Sequence, residues 1–199
     1  MKLTLDDIAD LRAYEREREE FRARIIKLKR LRRVSVGPVV TLVFENRDTI
    51  RFQIQEMARA ERILTDEGIQ AELDIYNALI PSAGQLSATL FVELTSEEEM
   101  RHWLPRLVGL EHSMVVRAGG TEVRCIPEEE HEAQLTRDAM TASVHYIRFE
   151  FTPEQVGAFS TGPVRLAVDH PEYREETELS ETTRLSLLED LRGGVGGSS

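Results

Sequence analysis

Residues 37–62, GPVVTLVFENRDTIRFQIQEMARAER, decide the fold class because a strand pattern changes into a helix pattern within them. Gly37-Pro38 predicts a turn, and the β-branched run from Val39 to Phe44 predicts a strand. Helical spacing of the apolar residues and an N-capping side chain favour a helix over about residues 48–64. Alternation within residues 49–55 also fits a strand in a hairpin, so that alternative stays open.

Upstream of this stretch, the sequence predicts a long helix over residues 5–32. Thr4 can cap it, with Asp7 at the third helical position. Its apolar residues recur three or four positions apart and form one stripe. The predicted fold therefore starts with a long N-terminal helix.

Downstream, strand and helix patterns alternate irregularly. Strands are predicted over 86–94, 144–151 and 164–169, and a hairpin around Ala118-Gly119-Gly120 joins strands 114–117 and 121–126. Helices are predicted over 66–79, after Ser96, after Thr152 and over 180–192. Residues 127–141 are predicted as a loop. The sum is an α+β fold with a mixed, mainly antiparallel sheet of roughly five to seven strands covered by helices. We predict one domain over 1–192 and a flexible tail over 193–199.

Composition restricts the class of protein. Hydrophobic residues make up 41% and charged residues 31% of the 199 residues, which is typical of a globular protein. No apolar run reaches the ~20 residues of a membrane span, and the N-terminus lacks a signal-peptide core, so a cytoplasmic location without membrane contact is expected. Because Cys125 is the only cysteine, an intramolecular disulfide and a multi-cysteine metal site are excluded within this chain. It lies in a strand pattern and is interpreted as a packed side chain.

The densest polar stretch, Glu45 to Arg62, is the first candidate site. It follows a predicted strand, and strand ends often carry functional residues. Acidic side chains interleaved with arginines can form an anion-binding or carboxylate-metal site, or a solvated helix face with local ion pairs. The candidate binding residues are Arg47, Gln55, Glu56, Arg59 and Glu61.

A second candidate is a metal site of carboxylates and histidines. His170 lies in a polar turn with Asp169 and Tyr173, where metal ligation or proton transfer is possible and a structural turn is the simpler interpretation. His145 lies inside an apolar strand, which is typical of a buried, hydrogen-bonded histidine. The candidate ligands are Glu56, Glu61, His145 and His170 if the fold brings them together; the catalytic residues and the cofactor are not defined by the sequence.

The run Arg22–Arg33 holds seven basic residues and no acidic one. Such a run fits nucleic-acid binding, but cations also stabilise a helix C-terminus. The net charge of −11 and the lack of accompanying aromatic residues disfavour nucleic acid and favour the helix dipole or an acidic partner surface.

Several stretches resemble an uncharacterised bacterial family, domain of unknown function 3501. They are KRLRRVSVGP at 29–38, FENRDT at 44–49 with QIQEM at 53–57, LSATLF at 86–91, WLPRLVGL at 103–110 and VHYIRF at 144–149. The family implies no activity or catalytic residues. Its members are often encoded beside rubrerythrin-like and heterodisulfide-reductase-like iron–sulfur proteins, which implies a redox partner and a role in oxidative-stress metabolism.

Three functional hypotheses follow. The first is a non-catalytic accessory or binding protein that docks on a redox partner, since strong catalytic signatures are absent from the sequence. The second is a small metalloenzyme with a His/carboxylate site, and the third is an RNA-binding module that uses Arg22–Arg33. Whether the protein is an enzyme is left open, and an apolar face on the first helix also permits a homo-oligomer.

Overall fold

The structure is a computed structural model that describes residues 1–128 and 140–193. Within these ranges the helices are α1 (Leu11–Arg32), α2 (Arg47–Glu61), α3 (Asp66–Tyr76), α4 (Glu97–Trp103), α5 (Pro153–Thr161) and α6 (Glu181–Leu191). The strands are β1 (Arg33–Val36), β2 (Val40–Glu45), β3 (Gln85–Val92), β4 (Met114–Ala118), β5 (Thr121–Arg124), β6 (Ile126–Pro127), β7 (Val144–Glu150), β8 (Val164–His170) and β9 (Tyr173–Glu178). The predicted α+β class and the long N-terminal helix are confirmed.

The described strands form two antiparallel sheets. The five-stranded sheet has the order β1-β2-β3-β7-β6, and the four-stranded sheet has the order β5-β4-β8-β9. Alternate residues of both sheets, such as Leu42 and Leu90 in one and Val116 and Leu166 in the other, belong to one buried apolar core. Since successive strand residues point to opposite faces, the intervening residues of β2, β3 and β7 form a second face, the outer face of the five-stranded sheet.

Helices α1, α2 and α3 cover the outer face. Ile50 and Ile54 of α2 pack with Leu73 of α3, while Phe21 and Ile25 of α1 form a smaller cluster. Burying each of these large side chains contributes about 1.5–3 kcal/mol to folding. The outer face of the sheet therefore lies under a helical layer.

The helix alternative for residues 49–55 is correct, and local capping explains it. The side chain of Asn46 accepts hydrogen bonds from the backbone N–H groups of Asp48 and Thr49, both at 3.0 Å. The Thr49 hydroxyl accepts from the Asn46 N–H at 2.9 Å. These bonds satisfy N–H groups that have no partner within the helix, and Ile50 and Ile54 then fall on one buried face.

The long helix begins later than predicted. Thr4 and Asp7 bracket a short 3₁₀ turn, Leu5–Asp7, in which an Asp7 carboxylate oxygen accepts from the Thr4 N–H at 2.8 Å. Asp10 caps α1 instead, because its side chain accepts from the N–H groups of Arg12 and Ala13 at 2.9 Å. Two capping signals six residues apart, at Thr4 and Asp10, thus specify two separate elements.

Two strands of the structure were not predicted from the sequence. β1 follows α1 directly, and β9, YREETE, pairs only with β8. Both lie at sheet edges. The charged side chains of β9 protect its edge but hide the alternating pattern of a strand, whereas β1 has only four residues and follows a helix without a break. The predicted single sheet of five to seven strands is therefore wrong in number, and the described strands form two sheets.

The remaining predicted elements agree with the structure. The hairpin, the helix capped by Ser96 and the helix that begins at Pro153 are confirmed. Most of the predicted loop 127–141 and most of the predicted tail 193–199 lie outside the described residues. The assignment of 1–192 to one domain stays a prediction. Over the described ranges, each helix is too short or too polar to cross a lipid bilayer.

Candidate functional site: a basic groove beside the first helix

Glu56, shared by both candidate sets, joins α2 to α1. It accepts from Nε and Nη2 of Arg18, both at 2.8 Å, and from the Tyr14 hydroxyl at 2.7 Å. The hydrogen bonds from Arg18 hold the pKa of Glu56 below its usual value. The paired geometry is that of a strong charge-assisted contact, so this carboxylate is engaged within the protein.

The neighbouring candidates on α2 contact the N-terminal segment. Arg47 pairs with Asp7 at 2.5 Å. The Gln55 side chain accepts from the Ala9 N–H at 2.7 Å and donates to the Ala9 carbonyl at 3.2 Å. These contacts fix the chain that leads into α1.

The last two candidates on α2 lie nearer its C-terminus. Arg59 pairs with Glu15 of α1. Glu61 is exposed, and its charge adds to burial in raising the pKa of Glu72. Of the five candidate binding residues, four therefore contact the N-terminal segment or α1, and Glu61 stands apart from them.

The two histidines lie elsewhere. His145 is buried on β7, where its Nε2 lies 2.8 Å from the Thr141 hydroxyl and 3.0 Å from the Ala142 carbonyl. His170 ends β8 in the other sheet, and its Nε2 lies 3.0 Å from the carbonyl of Val108. Both therefore have structural hydrogen-bond partners.

The four candidate metal ligands do not come together at one site. His145 is paired in register with the core residue Leu90, so it lies on the inner face, whereas Glu56 and Glu61 lie on a helix above the outer face. In the part of the chain that the structure describes, no three His, Cys, Asp or Glu side chains are grouped to hold a metal ion.

Cys125 is a packed side chain. It is buried, and its Sγ donates to the carbonyl of Glu111 at 3.0 Å. Burial raises the pKa of the thiol to about 12. A thiol in this state is a poor nucleophile at neutral pH.

The structure divides the basic run Arg22–Arg33. Arg32 is buried and pairs with Asp190 of α6, and Arg33 pairs with Glu93. The other five cations make no ion pair within residues 1–128 and 140–193: Arg22, Arg24, Lys27, Lys29 and Arg30. Of these, Arg24 lies 5.0 Å from the centre of the Phe21 ring. The run therefore contains a buried structural residue, Arg32, a residue in an ion pair at the sheet edge, Arg33, and five cations on the surface of α1.

A groove of about 460 Å³ lies beside this surface and is called the basic groove below. Its cationic lining comes from Arg22, Lys29, Arg30 and Arg33, and its apolar lining from Ile25, Ile26, Val43, Phe52 and Phe91. Ile26 is 42% exposed although it is apolar. Arg22, Lys29 and Arg30 lie at helical spacing on one side of α1, and Arg33 begins β1. The cations therefore lie along an apolar floor supplied by α2 and the sheet.

The sequence revealed only the cations of this groove. Its floor comes from Val43, Phe52 and Phe91, on three elements that the fold brings to α1. Ile26 and Leu31 are both exposed apolar side chains within the basic run, and Ile26 lines the groove. An exposed apolar residue of this kind is a local signal of a contact surface.

These features define an α+β protein built on two antiparallel sheets, with a helical layer on one sheet and a basic groove at its edge. The chain belongs to the family described as Protein of unknown function (DUF3501), whose model matches residues 2–191. The crystal structure of a novel protein of unknown function from Burkholderia pseudomallei K96243 is similar to it, with 37% identity and a TM-score of 0.87. That match covers 96% of this chain and 100% of the other. No curated protein matches the chain.

Proposed function

We propose that the protein is a non-catalytic accessory protein that binds an acidic amphipathic helix of a partner protein in the basic groove. The observation that carries the proposal is the combination of Arg22, Lys29 and Arg30, which lack ion pairs in the described ranges, with an exposed apolar side chain, Ile26, above an apolar floor. Acidic residues of the partner helix pair with the cations, and its apolar residues contact Ile26 and the floor.

The charge distribution favours a protein partner over nucleic acid. The whole chain carries a net charge of −11, which repels a polyphosphate approaching from most directions. The floor of the groove is apolar and suits the side chains of an amphipathic helix. Charged pairs at the rim would mainly raise the association rate and set the orientation of the partner.

The redox setting of the partner comes from the family resemblance. A rubrerythrin-like or iron–sulfur protein is the partner that this resemblance implies. Since the only thiol, Cys125, is buried with a pKa of about 12, the redox centre belongs to the partner in this proposal. This chain contributes binding and positioning.

The experiment measures binding of the purified chain to the purified rubrerythrin-like and iron–sulfur proteins of the same organism by isothermal titration calorimetry. The test variant is Arg22→Glu with Arg30→Glu, and the matched control is Arg12→Glu with Arg16→Glu. Both variants change the net charge equally on exposed positions of α1.

We expect a 1:1 complex that weakens at least about tenfold in the test variant and with added salt, and that is unchanged in the control. Equal binding by wild type and test variant would overturn the docking site. Absence of a complex with either protein would overturn the redox role. A dimer of this chain that the same test variant dissociates would place a second copy in the groove, and displacement by a short RNA would favour the nucleic-acid alternative.

A further inference from the structure

A second cavity, of about 260 Å³, lies between the outer face of the five-stranded sheet and the helical layer. Its polar lining consists of Lys29, Glu45, Gln53, Tyr76, Thr89 and Tyr146, and we call it the polar pocket. These residues come from three helices and three strands, so the pocket is formed only in the folded chain. It adjoins the basic groove, and both are lined by Lys29 and Phe91.

Glu45 is the unusual residue of this pocket. It is 5% exposed, and one carboxyl oxygen accepts from the Thr89 hydroxyl at 2.7 Å. The other oxygen is buried and has no hydrogen-bond partner in the described parts of the protein. Leaving such an acceptor unsatisfied costs about 1–3 kcal/mol, and such a group in a native protein calls for a donor.

The sheet register places a second polar atom beside it. Glu45 of β2 is paired with Ser87 of β3, whose hydroxyl is also buried without a partner in the described residues. Side chains directly opposite each other on neighbouring strands lie about 4.5–5.5 Å apart at Cβ. The unsatisfied groups are therefore neighbours on the same face of the sheet.

The opposite wall carries the opposite charge. Lys29 of α1 is half-buried, and it makes no ion pair in residues 1–128 and 140–193. Aromatic residues, Tyr76, Phe91 and Tyr146, line the space with it. Burial, followed by the charges of Tyr76 and Glu45, raises the pKa of Tyr146 above its usual value.

We propose that the polar pocket binds a small zwitterion of the amino-acid class, with its ammonium group on Glu45 and its carboxylate facing Lys29. An ammonium group supplies the donor that the Glu45 carboxyl lacks, and aromatic rings stabilise it further. An amine alone would meet the charge of Lys29, and a carboxylate alone would meet Glu45. Only a ligand with both charges satisfies both walls.

The volume sets the size of this ligand. With about 30 Å³ for each water molecule in the liquid, the cavity holds the equivalent of about nine waters. That space accommodates an amino acid with a short side chain and excludes a nucleotide. The pocket and the groove share Lys29 and Phe91, so the two proposals are distinguished by Glu45, which lines only the pocket, and by Arg30, which lines only the groove.

Three compounds of equal chain length test the requirement for both charges: 4-aminobutyrate, n-butylamine and butyrate. Binding to the purified full chain is measured by isothermal titration calorimetry, together with the twenty common amino acids. We expect saturable 1:1 binding of at least one zwitterion. We also expect n-butylamine and butyrate to bind at least tenfold more weakly than 4-aminobutyrate.

Two variants assign the charges. Glu45→Gln keeps the shape of the side chain and is expected to weaken zwitterion binding at least tenfold. The control is Glu93→Gln, directly after β3, which makes the same chemical change outside the lining of the pocket and should leave zwitterion binding unchanged. Lys29→Met is expected to weaken binding of the zwitterion and to improve binding of n-butylamine. Thermal melting of each variant verifies that it is folded.

The proposal is overturned if none of the zwitterions binds at millimolar concentration, or if Glu45→Gln binds them as tightly as the wild type. It is equally overturned if n-butylamine binds the wild type as well as 4-aminobutyrate does. A high-resolution crystal structure, grown with the best ligand, that shows only water beside Glu45 would also reject it.

Discussion

Replacing Arg32 tests the buried ion pair that joins the end of α1 to α6 and β2. The Arg32 side chain is 1% exposed and pairs with Asp190 of α6. It also donates from Nε to the Phe44 carbonyl at 3.0 Å and from Nη1 to the Ser186 hydroxyl at 3.1 Å. Burial raises the pKa of Asp190, and the charge of Arg32 opposes this increase. The pair therefore depends on both partners being present.

Arg32→Met removes the charge and the donors while keeping much of the volume of the side chain. Removing one partner of a buried ion pair costs about 3–5 kcal/mol, because the other charge is left uncompensated. For a chain of this length, each kcal/mol lowers Tm by about 2–4 °C, so Tm should fall by roughly 6–20 °C. The matched control, Arg30→Met, changes an exposed residue of the same helix and should alter the free energy of unfolding by less than about 0.5 kcal/mol.

The pH dependence separates the lost ion pair from lost packing. Without Arg32, the folded-state pKa of Asp190 rises further above the unfolded value of about 3.9. The folded variant then holds a proton that the unfolded chain releases, so its stability falls as the pH rises above about 4. The deficit relative to the wild type should be larger at pH 7 than at pH 4, as measured by urea denaturation followed by circular dichroism.

The double variant Arg32→Met with Asp190→Leu provides the decisive comparison. It removes both charges, so it should recover most of the lost stability and abolish the extra pH dependence. A double variant as unstable as Arg32→Met, or a deficit that is the same at both pH values, would refute the electrostatic argument. Loss of packing around the end of α1 would then be the cause.

Three further predictions concern other parts of the fold. Glu56→Gln should lower the free energy of unfolding by about 1 kcal/mol at pH 7, because the half-exposed pair with Arg18 is lost. The difference in urea stability between the variant and the wild type should disappear as the pH falls through the lowered pKa of Glu56. Cys125 should not react with a thiol reagent at pH 8 in the native protein and should react fully in guanidinium; rapid native labelling would contradict its burial. Gly37→Ala should lower Tm by several degrees, since Gly37 has φ +72° and an added Cβ would overlap the Tyr173 hydroxyl; a Tm equal to that of the wild type would show that the turn relaxes freely.

Elements with strong local signals could be predicted from the sequence. The cap at Asn46 and the apolar spacing of Ile50 and Ile54 lie within one short segment, and together they specify α2. The edge strands β1 and β9 lack such signals, because an edge strand is stabilised by pairing along one side and tolerates charge. The division of the strands between two sheets depends on pairings such as β4 with β8, about 50 residues apart, which no local pattern encodes.

The ion pairs of the helical layer show the same limit for site residues. The charges of Glu56 and Arg59 are evident in the sequence, where they are compatible with a binding site or with a solvated helix face. Their partners, Arg18 and Glu15, lie about 40 residues earlier and reach them only because α1 packs along α2. The number of charges in a segment therefore predicts a polar surface, while the ion-pair partner of each charge depends on tertiary packing.

The polar pocket could not be predicted for a related reason. Glu45 ends an apolar strand, and Thr89 and Tyr146 lie on the two strands that follow it in the sheet, more than 40 residues apart from one another along the chain. Thr89 is paired with Tyr146 in register, and Ser87 with Glu45, so antiparallel pairing alone brings these polar groups together. A single polar residue in an apolar strand is ambiguous, because it can face solvent or a buried partner. Several such residues on one face, beneath a layer of helices, are costly unless a donor reaches them, and this cost is the physical reason to seek a ligand here.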